Sequence, residues 1–235
     1  LIHSEVLEFI KTTQSKKWNH VTKVVSNNVE EKFIKELATY LNSQGILQVL
    51  RHGFSFYGKS FKLAFFRPAS GLNPKTIEQY KANRLACVRQ LKYDPKNENS
   101  LDLTLFLNGI PIITAELKNQ FTGQSISNSR WQYKKDRDPK APIFRFKQRS
   151  LVHFAVDTDE VEMTTRLMGV NTFFLPFNKG CNGGAGNPTI DGKHRTHYLW
   201  EEVWQRDSIL EIVQKFIFLQ VEYVKTKVKG KEKIE

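Results

Sequence analysis

A hydrolase that works on phosphodiesters through a divalent cation needs acidic oxygens converging on one point, together with a group that orients the attacking water. The short pattern (Asp/Glu)-x-Lys offers two of these groups. It occurs five times here, at Glu30–Lys32, Asp94–Lys96, Glu116–Lys118, Asp138–Lys140 and Asp191–Lys193. Glu30 and Lys32 fall in a helical pattern, where a spacing of two turns side chains about 200° apart and keeps them off a common substrate. Asp94 and Asp138 precede proline and Asp191 precedes glycine, so those three sit at turns. Glu116-Leu117-Lys118 ends a strand pattern. Alternation there puts Glu116 and Lys118 on one face and turns Leu117 into the core. Asp102, near the start of the partner strand, completes an acidic pair across the hairpin. An edge hairpin carrying ordinary surface charges would show the same residues.

A second chemical pattern competes. Residues 53–60, GFSFYGKS, fit the phosphate-loop spacing, and Asp157 at the end of LVHFAVD could serve as the magnesium-binding strand of a nucleotide-binding domain. That chemistry needs backbone N–H groups wrapped around phosphate and a helix N-terminus facing the charge. Phe54, Phe56 and Tyr57 crowd the loop, and FKLAFF after Ser60 alternates like a strand. A β-turn with Lys59 exposed at its tip is the better reading of the segment.

The elements that must position these residues follow from periodicity. Phe33, Ile34, Leu37 and Leu41 recur at helical spacing from Asn28 to Leu41, and Gly45 stops the run. Ile46–Leu50 and Phe61–Phe66 read as strands. Asn73 caps and Pro74 opens a short helix through Ala82. Leu85–Leu91 is a strand, and LDLTLFL-NG-IPIITAELK is a hairpin around Asn108-Gly109. Ser127–Lys135 reads as a helix, and Val152–Val156 pairs with Val161–Thr165 across an acidic turn. Asn178–Thr189 is a Gly/Asn-rich surface loop. Ser208 and Glu211 form a capping box that starts a long C-terminal helix.

The hairpin poses a geometric problem. A regular two-residue turn pairs Leu107 with Ile110, which sets Asp102 opposite Ala115 and points the two carboxylates to opposite faces. A one-residue shift repairs this and requires a three-residue loop or a β-bulge, which Pro111 favours because it cannot donate to a ladder.

Lys and Arg number 36 against 24 Asp and Glu, a formal +12, which favours a polyanionic partner, with DNA foremost. No run approaches the roughly 20 apolar residues of a spanning helix, so a soluble cytoplasmic protein is expected. Cys87 and Cys181 suggest neither a disulfide framework nor a metal motif. Leu1 and the charged stretch KVKGKEKIE read as cuts in a longer protein, with residues 1–235 forming one domain of it.

The stretch NRLACVRQLKYDPKNENSLDLTLFLNGIPIITAELKN, with QYKKDRDP, LVHFAVDTDEVEMTTRL, FLPFNKG, GNP and YLWEEVW further on, resembles the N-terminal nuclease region of the restriction subunits of type I restriction enzymes, in the PD-(D/E)xK superfamily. The likeness covers most of the chain from about Val6. It implies an α/β fold, a mixed central β-sheet flanked by helices in the manner of restriction endonucleases, and Mg²⁺-dependent cleavage of DNA. It further implies metal ligation by Asp102 and Glu116, and assistance to the water by Lys118. A glutamine on the following helix belongs to the family motif, which Gln132 matches. The tyrosine usual four positions later is replaced by Asp136, and Tyr133 receives no catalytic role. Family members open with a helix bringing a further glutamate, expected here upstream of Leu1. Glu30 could substitute for it, although favourable charge at a helix N-terminus is its better role. The resemblance also implies an ATP-driven motor outside this chain, with modification and specificity subunits as partners. Lys134, Lys135, Arg137, Arg145, Lys147 and Arg149, interleaved with Phe144 and Phe146, form a candidate phosphate-contacting surface. A solvated helix face and loop would look the same, as would a basic DNA-binding module without catalysis.

Overall fold

The structure, a computed structural model, describes residues 1–94, 98–220, 225–228 and 231–234, the last two stretches as backbone. The Asp94–Lys96 candidate runs through Pro95 and Lys96, which lie outside the described residues.

Four helices open the chain: α1 (His3–Thr13), α2 (Ser15–Val24), α3 (Val29–Gln44) and α4 (Ile46–His52). The stripe Phe33, Ile34, Leu37 and Leu41 is buried as its spacing predicts. Gly45, at φ +86°, turns the chain between α3 and α4. The strand expected at Ile46–Leu50 is therefore corrected to a helix. Ile46, Val49 and Leu50 are the buried positions, and their i, i+3, i+4 spacing outweighs the local β-propensity.

Strands β1 (Phe54–Phe56) and β2 (Lys59–Phe61) form a small hairpin across Tyr57 and Gly58, which both have positive φ. Phe54, Phe56 and Phe61 ring Phe33, with centroids 5.0 to 5.2 Å away, each pair adding about 1 kcal/mol beyond its buried area. The phosphate-loop reading of Gly53–Ser60 is overturned. No helix N-terminus follows Ser60, and two of the loop's aromatics are core. Lys59 opens β2 partly buried, so the tip belongs to Tyr57 and Gly58. Asp157 is no magnesium ligand either. Its Oδ1 accepts from the N–H groups of Asp159 and Glu160, and its Oδ2 from Ile126 N–H and Gln120 Nε2. Beyond Phe61 the expected strand gives way to irregular chain whose backbone is held by side-chain amides. Gln14 bonds both ways with Lys62, and Asn83 both ways with Phe65.

After α5 (Pro74–Lys81), capped by the Asn73 side chain on Lys75 N–H, the main sheet begins. Its strands are β3 (Leu85–Lys92), β4 (Ser100–Leu107) and β5 (Ile110–Leu117), then, past α6 (Ile126–Lys135), β6 (Val152–Val156), β7 (Val161–Thr164) and β8 (Leu175–Pro176). They lie side by side in chain order. Only β5 and β6 run parallel, joined by the crossover through α6, and the other neighbours are antiparallel. The result is the mixed α/β sheet the sequence predicts. One face, with Leu105, Leu107, Ile113, Ala115, Phe154 and Val156, packs into the core shared with α1 to α4. On the other, Ala155 joins Ile126 and Tyr133 of α6, with Phe144 and Phe174.

The last helix, α7 (Arg206–Glu211), starts at Gln205 without a side-chain cap and widens into a π-helical turn over Ile212–Phe216. The expected Ser208–Glu211 capping box is corrected accordingly, because burial of Ile209 and Leu210 sets the register and draws Ser208 into the first turn. Past it, β9 (Lys225–Val228) and β10 (Lys231–Ile234) pair antiparallel. No helix among the described residues is long and apolar enough to cross a membrane.

Candidate active site

The β4–β5 hairpin turns in two residues, with Leu107 opposite Ile110 and Phe106 opposite Pro111. The register then shifts between Leu105 and Phe106, so that Leu105 meets Ile113, Thr104 meets Thr114 and Leu103 meets Ala115. Ile112 is the extra residue of a β-bulge, and its carbonyl accepts from Leu151 N–H outside the hairpin. The paired register ends at Leu103 and Ala115, and beyond it the Asp102 carboxylate reaches across to Leu117 N–H and stands near enough to Glu116 to act on its carboxyl. Asn108 at φ 50° and Gly109 at φ 80° make the turn, and a Cβ on Gly109 would stand 2.6 Å from the Ile2 carbonyl oxygen.

The two carboxylates are held differently. Asp102 is partly exposed, and its Oδ2 accepts from Leu117 N–H at 2.8 Å while its Oδ1 accepts from Gln90 Nε2 at 3.1 Å. Glu116 is fully buried, with Oε1 accepting from Arg137 Nε at 2.7 Å. Among the described residues its buried Oε2 finds no hydrogen-bond donor. Burial pushes the Glu116 carboxyl up to about 7, with Asp102 adding to the rise and Arg137 opposing it. The Lys118 ammonium stands 3.9 Å from Asp102 Oδ2, largely buried, while Lys118 N–H donates to the Val156 carbonyl across the parallel pair. Asp102, Glu116 and Lys118 are thus brought together.

Leu117 is corrected: at 39% exposure it does not enter the core, because the face opposite Lys118 is incompletely covered at the strand end. Gln132 lies one turn along α6 from Ser129, whose hydroxyl donates to the Glu116 carbonyl. The Gln132 Oε1 is buried without a hydrogen-bond partner among the described residues. Tyr133 is wholly buried and shares a hydrogen bond with Thr114, which also bonds His153, so it is part of the scaffold beneath the site. Glu30 pairs with Lys11 on the surface at 2.6 Å, and is no substitute ligand. Helix α1 sits at the opposite, turn end of the hairpin, where Ile2 N–H donates to the Gly109 carbonyl.

The basic cluster divides. Lys135 is exposed with its ammonium 5.0 Å from the Trp131 ring centroid, and Lys147 lies 5.6 Å from that of Phe146. Arg145 is exposed and Lys134 and Arg149 are partly so. Arg137 is corrected as a surface contact: it is 4% exposed and spent on Glu116 and the Ser100 carbonyl. Phe144 is core rather than part of any surface. Two site residues escaped the sequence, Arg137 as Glu116's partner and Gln90. Gln90 takes φ 51°, is skipped by the β3–β4 ladder, and bonds Asp102 and Ser100. Neither carries a local signal, since both act across elements distant in sequence.

Among the described residues no group of three or more His, Cys, Asp and Glu side chains could hold a metal. The arrangement nevertheless suits a hard cation of the Mg²⁺ type, which keeps several waters and takes one or two carboxylates. The unpartnered Glu116 Oε2 is the observation that fits it, because a buried oxygen without a donor is costly unless something positive arrives.

A mixed six-stranded sheet with helices packed on both faces gives the chain a restriction-endonuclease-like α/β fold. Residues 4–171 match the family described as type I restriction enzyme R protein N terminus, and the chain belongs to that family. Membership ties it in general to restriction complexes and the DNA they act on. No individually curated protein matches the chain.

Proposed function

We infer that this chain is the DNA-cleaving domain of a restriction subunit, hydrolysing phosphodiester bonds with Mg²⁺ held by Asp102 and Glu116. The observation that supports this reading is the meeting of Asp102, the buried Glu116 and Lys118 at the strand end beyond the bulge at Ile112. The cation, when bound, supplies charge stabilisation on the phosphoryl oxygens and acidifies water. The chain's own residues do the rest. Leu117 N–H and the Gln90 amide fix the Asp102 carboxylate, and Arg137 fixes Glu116. Lys118 is placed to orient the attacking water or to meet a non-bridging oxygen as charge builds. Gln132, with a free carbonyl oxygen, supports the geometry of lysine or substrate. Lys134, Lys135, Arg145 and Lys147 hold the duplex backbone. ATP is consumed by a motor elsewhere in the subunit, and modification and specificity subunits choose the sequence.

The test is divalent-ion binding to this protein by titration calorimetry, with Asp102→Asn and Glu116→Gln as controls. Binding lost in both variants supports the reading. Binding unchanged in both would remove it.

A further inference from the structure

Arg137 follows the end of α6 by two residues, yet its side chain turns back beneath the site with 3% of its surface exposed. Nε donates to Glu116 Oε1 and an Nη donates to the Ser100 carbonyl, each at 2.7 Å, and the guanidinium lies 5.7 Å from the Tyr93 ring centroid. Ser100 opens the strand that carries Asp102, so one guanidinium spans both strands that supply the carboxylates. We propose that Arg137 is a positioning residue, a counter-cation built into the site that keeps Glu116 aimed and offsets its charge until a divalent cation binds. The inference rests on the metal-dependent reading above.

A fully buried carboxylate facing a second carboxylate is unfavourable without a positive charge nearby. Lys118 is engaged with Asp102 at 3.9 Å, which leaves Arg137 as the cation that the described residues set on Glu116. It takes a single oxygen rather than gripping the carboxylate with both prongs of its fork, so Oε2 stays free for a ligand. The second prong, on the Ser100 carbonyl, fixes the direction from which Oε1 is held and therefore the direction in which Oε2 points. The acidic site is thus assembled before the ion arrives.

The experiment is thermal unfolding of the 235-residue protein with and without saturating Mg²⁺, comparing wild type, Arg137→Met and Arg137→Lys. Without Mg²⁺ the midpoint of Arg137→Met is expected to fall on the order of 10 °C, as for a buried charge stripped of its partner in a domain this size. Mg²⁺ should then raise that midpoint by more than it raises the wild type, because the ion supplies the missing charge. Arg137→Lys, keeping charge without the fork, should lie between. Adding Glu116→Gln to Arg137→Met should restore the Mg²⁺-free midpoint and abolish the response to Mg²⁺. Equal Mg²⁺ shifts in wild type and Arg137→Met would make the arginine purely structural and overturn the inference while leaving the metal site standing. A wild type with no Mg²⁺ shift would overturn both. Should Arg137→Met fail to fold, Arg137→Lys decides, since its Mg²⁺ shift must exceed that of the wild type.

Discussion

The carboxylate of Asp102 accepts a 2.8 Å hydrogen bond from the backbone N–H of Leu117, the residue between Glu116 and Lys118. One side chain on β4 is thereby locked to the strand that carries its two chemical partners. Small changes in the pairing of β4 and β5 must be felt directly at the site, which is why the bulge matters.

Substitutions at the site should separate cleavage from the motor. In the reconstituted restriction complex, Asp102→Ala, Glu116→Gln and Lys118→Ala should each lower DNA cleavage by at least about a hundredfold, the scale of losing one charge-stabilising group. ATP hydrolysis should stay near the wild-type rate, and a parallel ATPase assay checks it. Glu116→Gln is preferred to alanine because it fills the volume above Arg137.

The turn should resist any side chain. At φ 80°, Gly109→Ala incurs about 1–2 kcal/mol of left-handed strain, and its Cβ would also stand 2.8 Å from Val6 N. Urea unfolding should show a loss above that strain alone, since α1 must move off the turn. A loss within experimental error would show that α1 does not hold the turn.

His153 gives a pH signature. Burial pushes its imidazole from 6.5 down to about 3, so between those values the unfolded chain carries a proton that the folded one refuses. Stability therefore rises with pH across this window. On acidification from about pH 6.5 it should fall at up to about 1.4 kcal/mol per unit from this group. Unfolding free energies from pH 4 to 7 should follow a correspondingly shallower course in His153→Gln, which carries no titrating ring.

The exposed cations should govern salt dependence. Neutralising Lys135 and Lys147 should flatten the log-affinity against log-salt slope on duplex DNA by roughly 0.9 per lost phosphate contact. Filter binding across a salt series measures it, and an unchanged slope would return these lysines to the solvent.

Much of this was legible in the sequence because it depends on neighbours. The hairpin around Asn108-Gly109, the capped helix at Pro74 and the stripe of α3 are set by local turn chemistry and periodicity. The Asp102–Glu116 conflict was legible too, since counting residues around a two-residue turn requires an irregularity. Tertiary structure decided the rest. Ile46–Leu50 has an apolar run that suits strand or helix, and only the surrounding core selects the helix. The aromatic run after Gly53 becomes a hairpin because Phe33, far from it in sequence, offers a ring of contacts. Arg137 reads in sequence as one more surface cation among KKDRDP. It becomes Glu116's partner because the chain leaving α6 passes beneath the end of β5, and the low dielectric there makes a charge left alone more costly than one brought in to meet it.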